Sequence, residues 1–168
     1  MNTFSRAPRS GFTLVEATLS VLIVSILMVA AMAAADVAIT TQSRTGDRAA
    51  GRWLAAGLMT DVLSLAYQDP NYPTTTLGID PGESANNKAT FDDVDDFNGW
   101  SESPPQDKGG NVIPRFTNWK RTVTVQWCSA TAPSTISGSE TGCKLITVQV
   151  FHNNVMMATR VALKANVP

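Results

Sequence analysis

The sequence predicts an α+β fold in which a long N-terminal helix packs on a C-terminal antiparallel β-sheet. Three observations predict this fold. A long apolar run stands near the start of the chain, an amphipathic stretch follows it without a proline, and the C-terminal third alternates polar and apolar side chains. The chain has 168 residues, enough for one domain with a modest core.

The composition argues against several classes of protein. There are 13 Lys and Arg residues against 14 Asp and Glu, which leaves no basic excess for a nucleic-acid partner. One histidine and two cysteines are too few for a four-ligand structural zinc site. The sequence contains no HExxH, P-loop, dinucleotide glycine fingerprint or Ser/His/Asp pattern. We therefore expect a protein that is not an enzyme and needs no organic cofactor.

The first element is an apolar segment at residues 12–35, in which Glu16 is the only ionisable residue. About 20 apolar residues in a helix cross the hydrocarbon of a bilayer, so this segment is expected to lie in membrane lipid. The preceding residues 1–11 contain Arg6 and Arg9 and no acid. The positive-inside bias then predicts a cytoplasmic N-terminus and an external C-terminal part.

Glu16 needs an explanation, because a carboxylate is costly inside a membrane and calls for a partner or a function. It lies four residues after Phe12, which is one helical turn. A cut between Gly11 and Phe12 would create a positively charged amine at Phe12. That amine could neutralise Glu16 of the same chain or of a neighbouring copy.

Residues 11–16 read GFTLVE, after a short basic leader and before roughly twenty apolar residues. This arrangement resembles the class III signal of type IV pilins and type II secretion pseudopilins. The resemblance implies that prepilin peptidase cleaves after Gly11 and methylates Phe12, and that Glu16 helps to align subunits during assembly. Ser10 departs from the pattern, since many members have Lys or Arg there, and is expected to modulate processing.

The resemblance implies a subunit that assembles into a pilus or a secretion pseudopilus, and the sequence favours a minor one. Its partners would be other pilin or pseudopilin subunits, prepilin peptidase and the inner-membrane assembly platform. The precursor would lie in the bacterial inner membrane, and the mature subunit in a surface pilus or a periplasmic pseudopilus.

Two other interpretations of the N-terminus remain open. Residues 33–35 are three alanines that could serve as an ordinary secretory cleavage site. The segment could also be an uncleaved anchor. Either case would give a single-pass or secreted binding protein whose acidic loop captures calcium or another ligand.

The helix is expected to continue to about Tyr67, because residues 36–67 contain apolar positions at steps of three and four. The recurring positions are Trp53, Gly57, Met59, Leu63, Ala66 and Tyr67. The predicted organisation is therefore a leader at 1–11, a helix at 12–67 and a globular domain at 68–168.

Residues 70–118 are rich in Pro, Gly, Asn and Asp and predict a long ordered connection. Within it, residues 91–105 read FDDVDDFNGWSESPP. Calcium binds six to eight oxygens, and the candidate ligands are Asp92, Asp93, Asp95 and Asp96. Their spacing does not fit an EF-hand. The alternative is a turn of solvated acids with the aromatic side chains packed below.

Three strands are expected in the last third of the chain. Val123, Val125 and Trp127 alternate with polar residues, and KLITVQVFH alternates in the same way. In the third strand, the expected shared face consists of Val155, Met157, Thr159, Val161 and Leu163. Asn153 and Asn154 suit a two-residue hairpin, so the three strands form an antiparallel meander.

Cys128 ends the first of these strands and Cys143 begins the second. Paired strand ends are neighbours in a meander, and the expected compartment is oxidising, so a disulfide closing the loop 129–142 is the favoured interpretation. Two free buried thiols are the alternative.

Overall fold

The computed structural model describes residues 11–69, 71–72 and 76–166. Of the predicted leader, only Gly11 lies within them. The described elements are helix α1 (Leu14–Leu63) and strands β1 (Ser101–Glu102), β2 (Trp119–Trp127), β3 (Cys143–His152) and β4 (Val155–Ala165). The chain divides into two compact units, Met1–Arg44 and Thr45–Pro168. The α+β prediction is confirmed.

The described part of the N-terminal unit is helical from Leu14 onwards, and all of it is exposed. Helix α1 is long and apolar enough to cross a membrane. Three hydroxyl groups in the apolar segment donate to helix carbonyls: Thr18 to Val15, and Ser20 and Ser25 each to the carbonyl four residues earlier. These bonds satisfy polar side chains within the helix, as a lipid environment requires.

In the C-terminal unit, four antiparallel strands pair in the order β1-β2-β3-β4. The predicted hairpin between β3 and β4 is confirmed, with φ of 49° at Asn153 and 64° at Asn154. Strand β1 was not predicted. It has only two residues, which are too few to show an alternating pattern.

Within the same unit, α1 packs on one face of the sheet. Its buried stripe consists of Gly51, Leu54, Ala55, Leu58, Met59 and Val62. The sheet contributes buried side chains at Val123, Val125, Ile146, Val148 and Val150. Of the predicted apolar positions, Met59 and Tyr67 are buried and Leu63 packs against the core, whereas Gly57 and Ala66 are exposed. Trp53 is 60% exposed and stacks instead on Phe116, with ring centroids 5.9 Å apart.

The predicted shared face of β4 was wrong apart from Met157, which packs against the core. A register shift lies between Val150 and Phe151, and Val161 is 58% exposed. Ala158 and Ala162 pack against the core instead. Small residues are needed there because α1 comes close. A Cβ added to Gly51 would lie 2.8 Å from the Cβ of Met157.

Helix α1 ends four residues before the predicted Tyr67. Lys164 donates from Nζ to the carbonyls of Leu63 and Leu65, at 3.0 and 2.8 Å. Ala66 then forms an isolated parallel bridge with Asp93. Tertiary hydrogen bonds therefore replace the last predicted turn of the helix.

The connection between α1 and β2 contains 3₁₀ turns at Lys88–Thr90 and Asp95–Phe97. Phe91 makes edge-to-face contacts with Phe97 and Trp100, at centroid distances of 4.9 and 5.3 Å. All three rings are buried. The aromatic side chains of the acidic segment therefore pack inward, as expected. The expectation that the acids beside them are solvated was wrong for Asp93, Asp95 and Asp96, which are at most 2% exposed.

Candidate functional site

The first candidate site is the start of α1. The backbone N–H of Glu16 donates to Thr13 Oγ1 at 3.2 Å, so Thr13 caps the helix. Thr13 and Glu16 have the T-x-x-E spacing of a capping box. This role was not predicted, although the pattern lies inside GFTLVE. One short motif therefore combines a helix start with the acid that needs a partner.

Phe12 and Glu16 are both exposed, with Phe12 at 76%. Among residues 11–69, 71–72 and 76–166, none forms an ion pair with the Glu16 carboxylate. The geometry thus presents an uncompensated carboxylate one turn from the predicted new N-terminus.

The second candidate site is the acidic segment. Its four predicted ligands fall into two pairs with different surroundings. Asp93 Oδ2 accepts the Asp69 N–H at 2.5 Å, and its Oδ1 accepts the Asp95 N–H at 2.8 Å. Asp95 Oδ1 lies 2.5 Å from Lys144 Nζ. Burial, followed by the contact with Asp95, raises the pKa of Asp93 to about 6. The carboxylates of Asp93 and Asp95 are therefore occupied by hydrogen bonds and an ion pair that stabilise the fold.

Asp92 and Asp96 instead join Glu83, and one carboxylate oxygen from each lies within 4.8 Å of the others. Burial and the neighbouring Glu83 carboxyl raise the pKa of Asp96 to about 8. Asp92 is exposed. Glu83 lies outside the acidic segment 91–105, and no spacing pattern connects it with the other two acids.

A buried ionic cluster lies between β1, β2 and the first 3₁₀ turn. Glu102 pairs with Arg121, and its Oε2 lies 3.1 Å from Lys88 Nζ. Arg121 Nη1 also donates to the carbonyl of Leu54 in α1 at 3.1 Å. Burial lowers the pKa of Lys88, and the Glu102 carboxylate opposes that shift. The cluster joins helix, sheet and connection, and it was not predicted from the sequence.

A third buried cation is Lys144, which donates to the carbonyl of Tyr67 and lies 4.3 Å above the centre of the Tyr67 ring. The Tyr67 hydroxyl donates to Glu140 Oε1 at 2.5 Å. Burial and the Glu140 carboxylate raise the pKa of Tyr67. These contacts fix the chain after α1 on the sheet.

Cys128 and Cys143 lie opposite each other where β2 and β3 meet, as predicted. The Cys128 N–H donates to the Cys143 carbonyl at 2.9 Å, and the two sulfurs are 3.1 Å apart. Both residues are buried thiols in the structure. Burial, and then the contact with Cys143, raises the pKa of Cys128 to about 11. The disulfide itself stays a prediction.

With this geometry in place, comparison with known proteins identifies the class of the N-terminal segment. Residues 6–32 match the prokaryotic N-terminal methylation motif. The chain therefore carries the class III signal of type IV pilins and pseudopilins. The motif includes the predicted cleavage position and Glu16. No curated protein and no solved structure matches the chain.

The motif points to a structural subunit and not to an enzyme. It implies processing by prepilin peptidase and assembly with other pilins. Together with the long apolar helix, it fits a membrane-anchored precursor. The match ends at residue 32, so the sheet-bearing unit lies outside it.

Proposed function

We propose that this protein is a minor pilin-like or pseudopilin subunit that is cleaved between Gly11 and Phe12, methylated at Phe12 and assembled into a filament. The apolar segment anchors the precursor in the inner membrane. After cleavage, the same segment packs against the N-terminal helices of other subunits.

The exposed apolar segment 12–35, most of which lies inside the methylation motif, is the observation that carries this proposal. Leu14, Val15 and Leu27 are each more than 60% exposed, and every residue from 12 to 35 is exposed. So much apolar helix surface is stable only in lipid or against other apolar helices. The proposed function supplies both environments in turn.

Glu16 supplies the specificity of assembly in this proposal. The backbone N–H of Glu16 donates to Thr13, but the Glu16 carboxylate has no counter-charge among the described residues. An α-amine at Phe12 of a neighbouring subunit would neutralise it in an apolar setting, where an unpaired carboxylate is costly. The pair formed by the Phe12 amine and the Glu16 carboxylate would then set the axial position of one N-terminal helix against the next.

Mass spectrometry of the mature N-terminus tests the processing step. We expect a chain that begins at N-methylated Phe12. A chain that begins at Met1 would indicate an uncleaved anchor, and one that begins near Asp36 would indicate an ordinary secretory signal. Either result would contradict the proposal.

The assembly step is tested with Glu16→Ala, compared with Asp36→Ala as a control at the other end of the apolar segment. We expect both variants to be cleaved, while only Glu16→Ala is depleted from sheared and purified filaments in cells that lack the native copy. Equal recovery of the two variants in filaments would show that assembly does not need Glu16.

A further inference from the structure

The cluster formed by Glu83, Asp92 and Asp96 has the features of a cation site. We propose that these three carboxylates bind one Ca²⁺ ion in the connection between α1 and β2. This set differs from the sequence-predicted one in two respects: it adds Glu83, and it excludes Asp93 and Asp95. The inference does not depend on processing or assembly of the protein.

Asp96 carries a buried ligand atom that the fold leaves unsatisfied. Asp96 is only 1% exposed, and its Oδ1 has no hydrogen-bond partner. Its Oδ2 accepts the N–H groups of Asp92 and Asp93, both at 3.1 Å. The carboxylate is therefore held by one oxygen while the other is left unsatisfied. A buried oxygen in that state costs about 1–3 kcal/mol unless something binds it.

The carboxylate of Glu83 is arranged in the same way. Its Oε2 accepts the Asp80 N–H at 3.0 Å, and its Oε1 is buried with no hydrogen-bond partner. The carboxyl group of Asp96 is also in contact with that of Glu83. Two fixed carboxylates thus meet through oxygens that the protein does not satisfy, and a cation between them would satisfy both.

The charge around the cluster is not balanced by the fold. Among the described ion pairs, none joins a Lys or Arg to Glu83, Asp92 or Asp96. Lys144 instead pairs with Asp95. Two further acids lie nearby. The charge of Asp69 repels Asp92, and Asp80 is repelled by both Glu83 and Asp92. Like charges this close are unfavourable without a counter-ion.

The geometry and the donor set favour calcium among the common ions. Ca²⁺ binds oxygen at about 2.3–2.6 Å, so ligands on opposite sides of it are about 5 Å apart. The observed spread, within 4.8 Å, fits that limit. All three donors are carboxylates, with no imidazole or thiolate of the kind that zinc prefers. Because Asp92 is exposed, water can complete the coordination shell.

The position of the cluster predicts what the ion would do. Glu83 and Asp92 lie on opposite sides of the first 3₁₀ turn, so a shared ion would close that segment on itself. The Asp92 carbonyl also accepts the Ala66 N–H, just after α1. Calcium would therefore stabilise the connection where it leaves the helix, and binding to the folded state alone raises the stability.

Calorimetric titration of the full-length, detergent-solubilised protein with CaCl₂ after chelation tests the site. We expect one Ca²⁺ per chain, weaker binding of Mg²⁺, and a higher melting temperature with calcium. Asp92→Asn and Glu83→Gln should each weaken the affinity about tenfold or more, because each removes one charged ligand. Both side chains are at least partly exposed, so both variants should fold.

Asp107→Asn provides the matched control, since Asp107 is an exposed acid that caps a different turn. It should bind calcium as tightly as the wild type. Absence of binding by the folded wild-type protein in millimolar calcium would overturn the proposal and indicate that Glu83 and Asp96 share a proton instead. Unchanged affinity in both cluster variants would likewise overturn it.

Discussion

Two stretches of α1 are rich in apolar residues, yet their environments are opposite. Leu27, in the N-terminal stretch, is 63% exposed, whereas Leu58, in the later stretch, is completely buried. The difference is one of periodicity. The N-terminal stretch is apolar on all sides, while the later one carries a stripe at steps of three and four that fits one face of a sheet.

This comparison shows that apolar content by itself does not predict burial within a chain. A stripe is covered by the chain's own sheet, because the polar side can remain in water. A helix that is apolar all round needs an apolar environment on every side, which one sheet cannot supply. The two stretches therefore serve different purposes, one in the globular core and the other outside it.

Matched Leu→Ala substitutions would test this difference directly. Leu58→Ala should lower the free energy of unfolding of the C-terminal unit by about 3 kcal/mol, because it opens a cavity in the core. Leu27→Ala should change it by less than about 0.5 kcal/mol. Tryptophan fluorescence in a denaturant titration of the full-length protein is the measurement, since all four tryptophans lie between Trp53 and Trp127. Equal losses of unfolding free energy in the two variants would contradict the difference between the two stretches.

The cysteine pair tests how much a disulfide contributes to the stability of the C-terminal unit. Replacing Cys128 and Cys143 with serine should lower the free energy of unfolding by about 3 kcal/mol if they form the predicted disulfide. A reductant should destabilise the wild type similarly and leave the double variant unchanged.

Peptide mapping without reductant identifies the bond itself. The alkylating agent must be added in denaturant, because burial raises the pKa of Cys128 to about 11 and a folded free thiol would react slowly. Recovery of both residues as alkylated thiols, from protein matured outside the cytoplasm, would contradict the disulfide.

Two helix glycines sharpen the comparison further. Gly51→Ala should cost about 2 kcal/mol of unfolding free energy, because the new Cβ would lie 2.8 Å from that of Met157. Gly46 has no such neighbour, so Gly46→Ala should stabilise the helix by up to about 1 kcal/mol. Thermal unfolding followed by near-UV circular dichroism would separate the two. The same sign at both positions would show that α1 does not approach β4 this closely.

The smallest expected effect concerns Glu140. Burial would raise its pKa, but hydrogen bonds from Tyr67, Gly142 and Thr141 outweigh that effect and lower it. An acid whose folded pKa is lowered stabilises the fold above its unfolded pKa and loses that contribution as the pH falls through the folded value. Glu140→Gln should thus cost about 1 kcal/mol at neutral pH.

The same comparison at acidic pH supplies the control for Glu140. The difference in unfolding free energy between wild type and Glu140→Gln should shrink as the pH falls below the ordinary glutamate range. A difference that grows in acid would contradict the assigned sign.

Features that depend on neighbours along the chain could be predicted from the sequence. The apolar segment, the GFTLVE motif and the Asn153–Asn154 hairpin each arise within a few residues. The opposition of Cys128 and Cys143 followed from one alternating pattern and the connectivity of a meander. Local periodicity and turn chemistry are sufficient for these features, because they act over one or two turns of chain.

Features that depend on distant residues were decided only by the tertiary structure. The sequence did not show that Trp53 faces outward, that Glu83 joins Asp92 and Asp96, or that Lys88 and Arg121 share the buried Glu102. Each depends on how closely helix, sheet and connection approach. Many side-chain pairings are compatible with the same local pattern, and close packing together with the cost of burying unpaired charge selects among them.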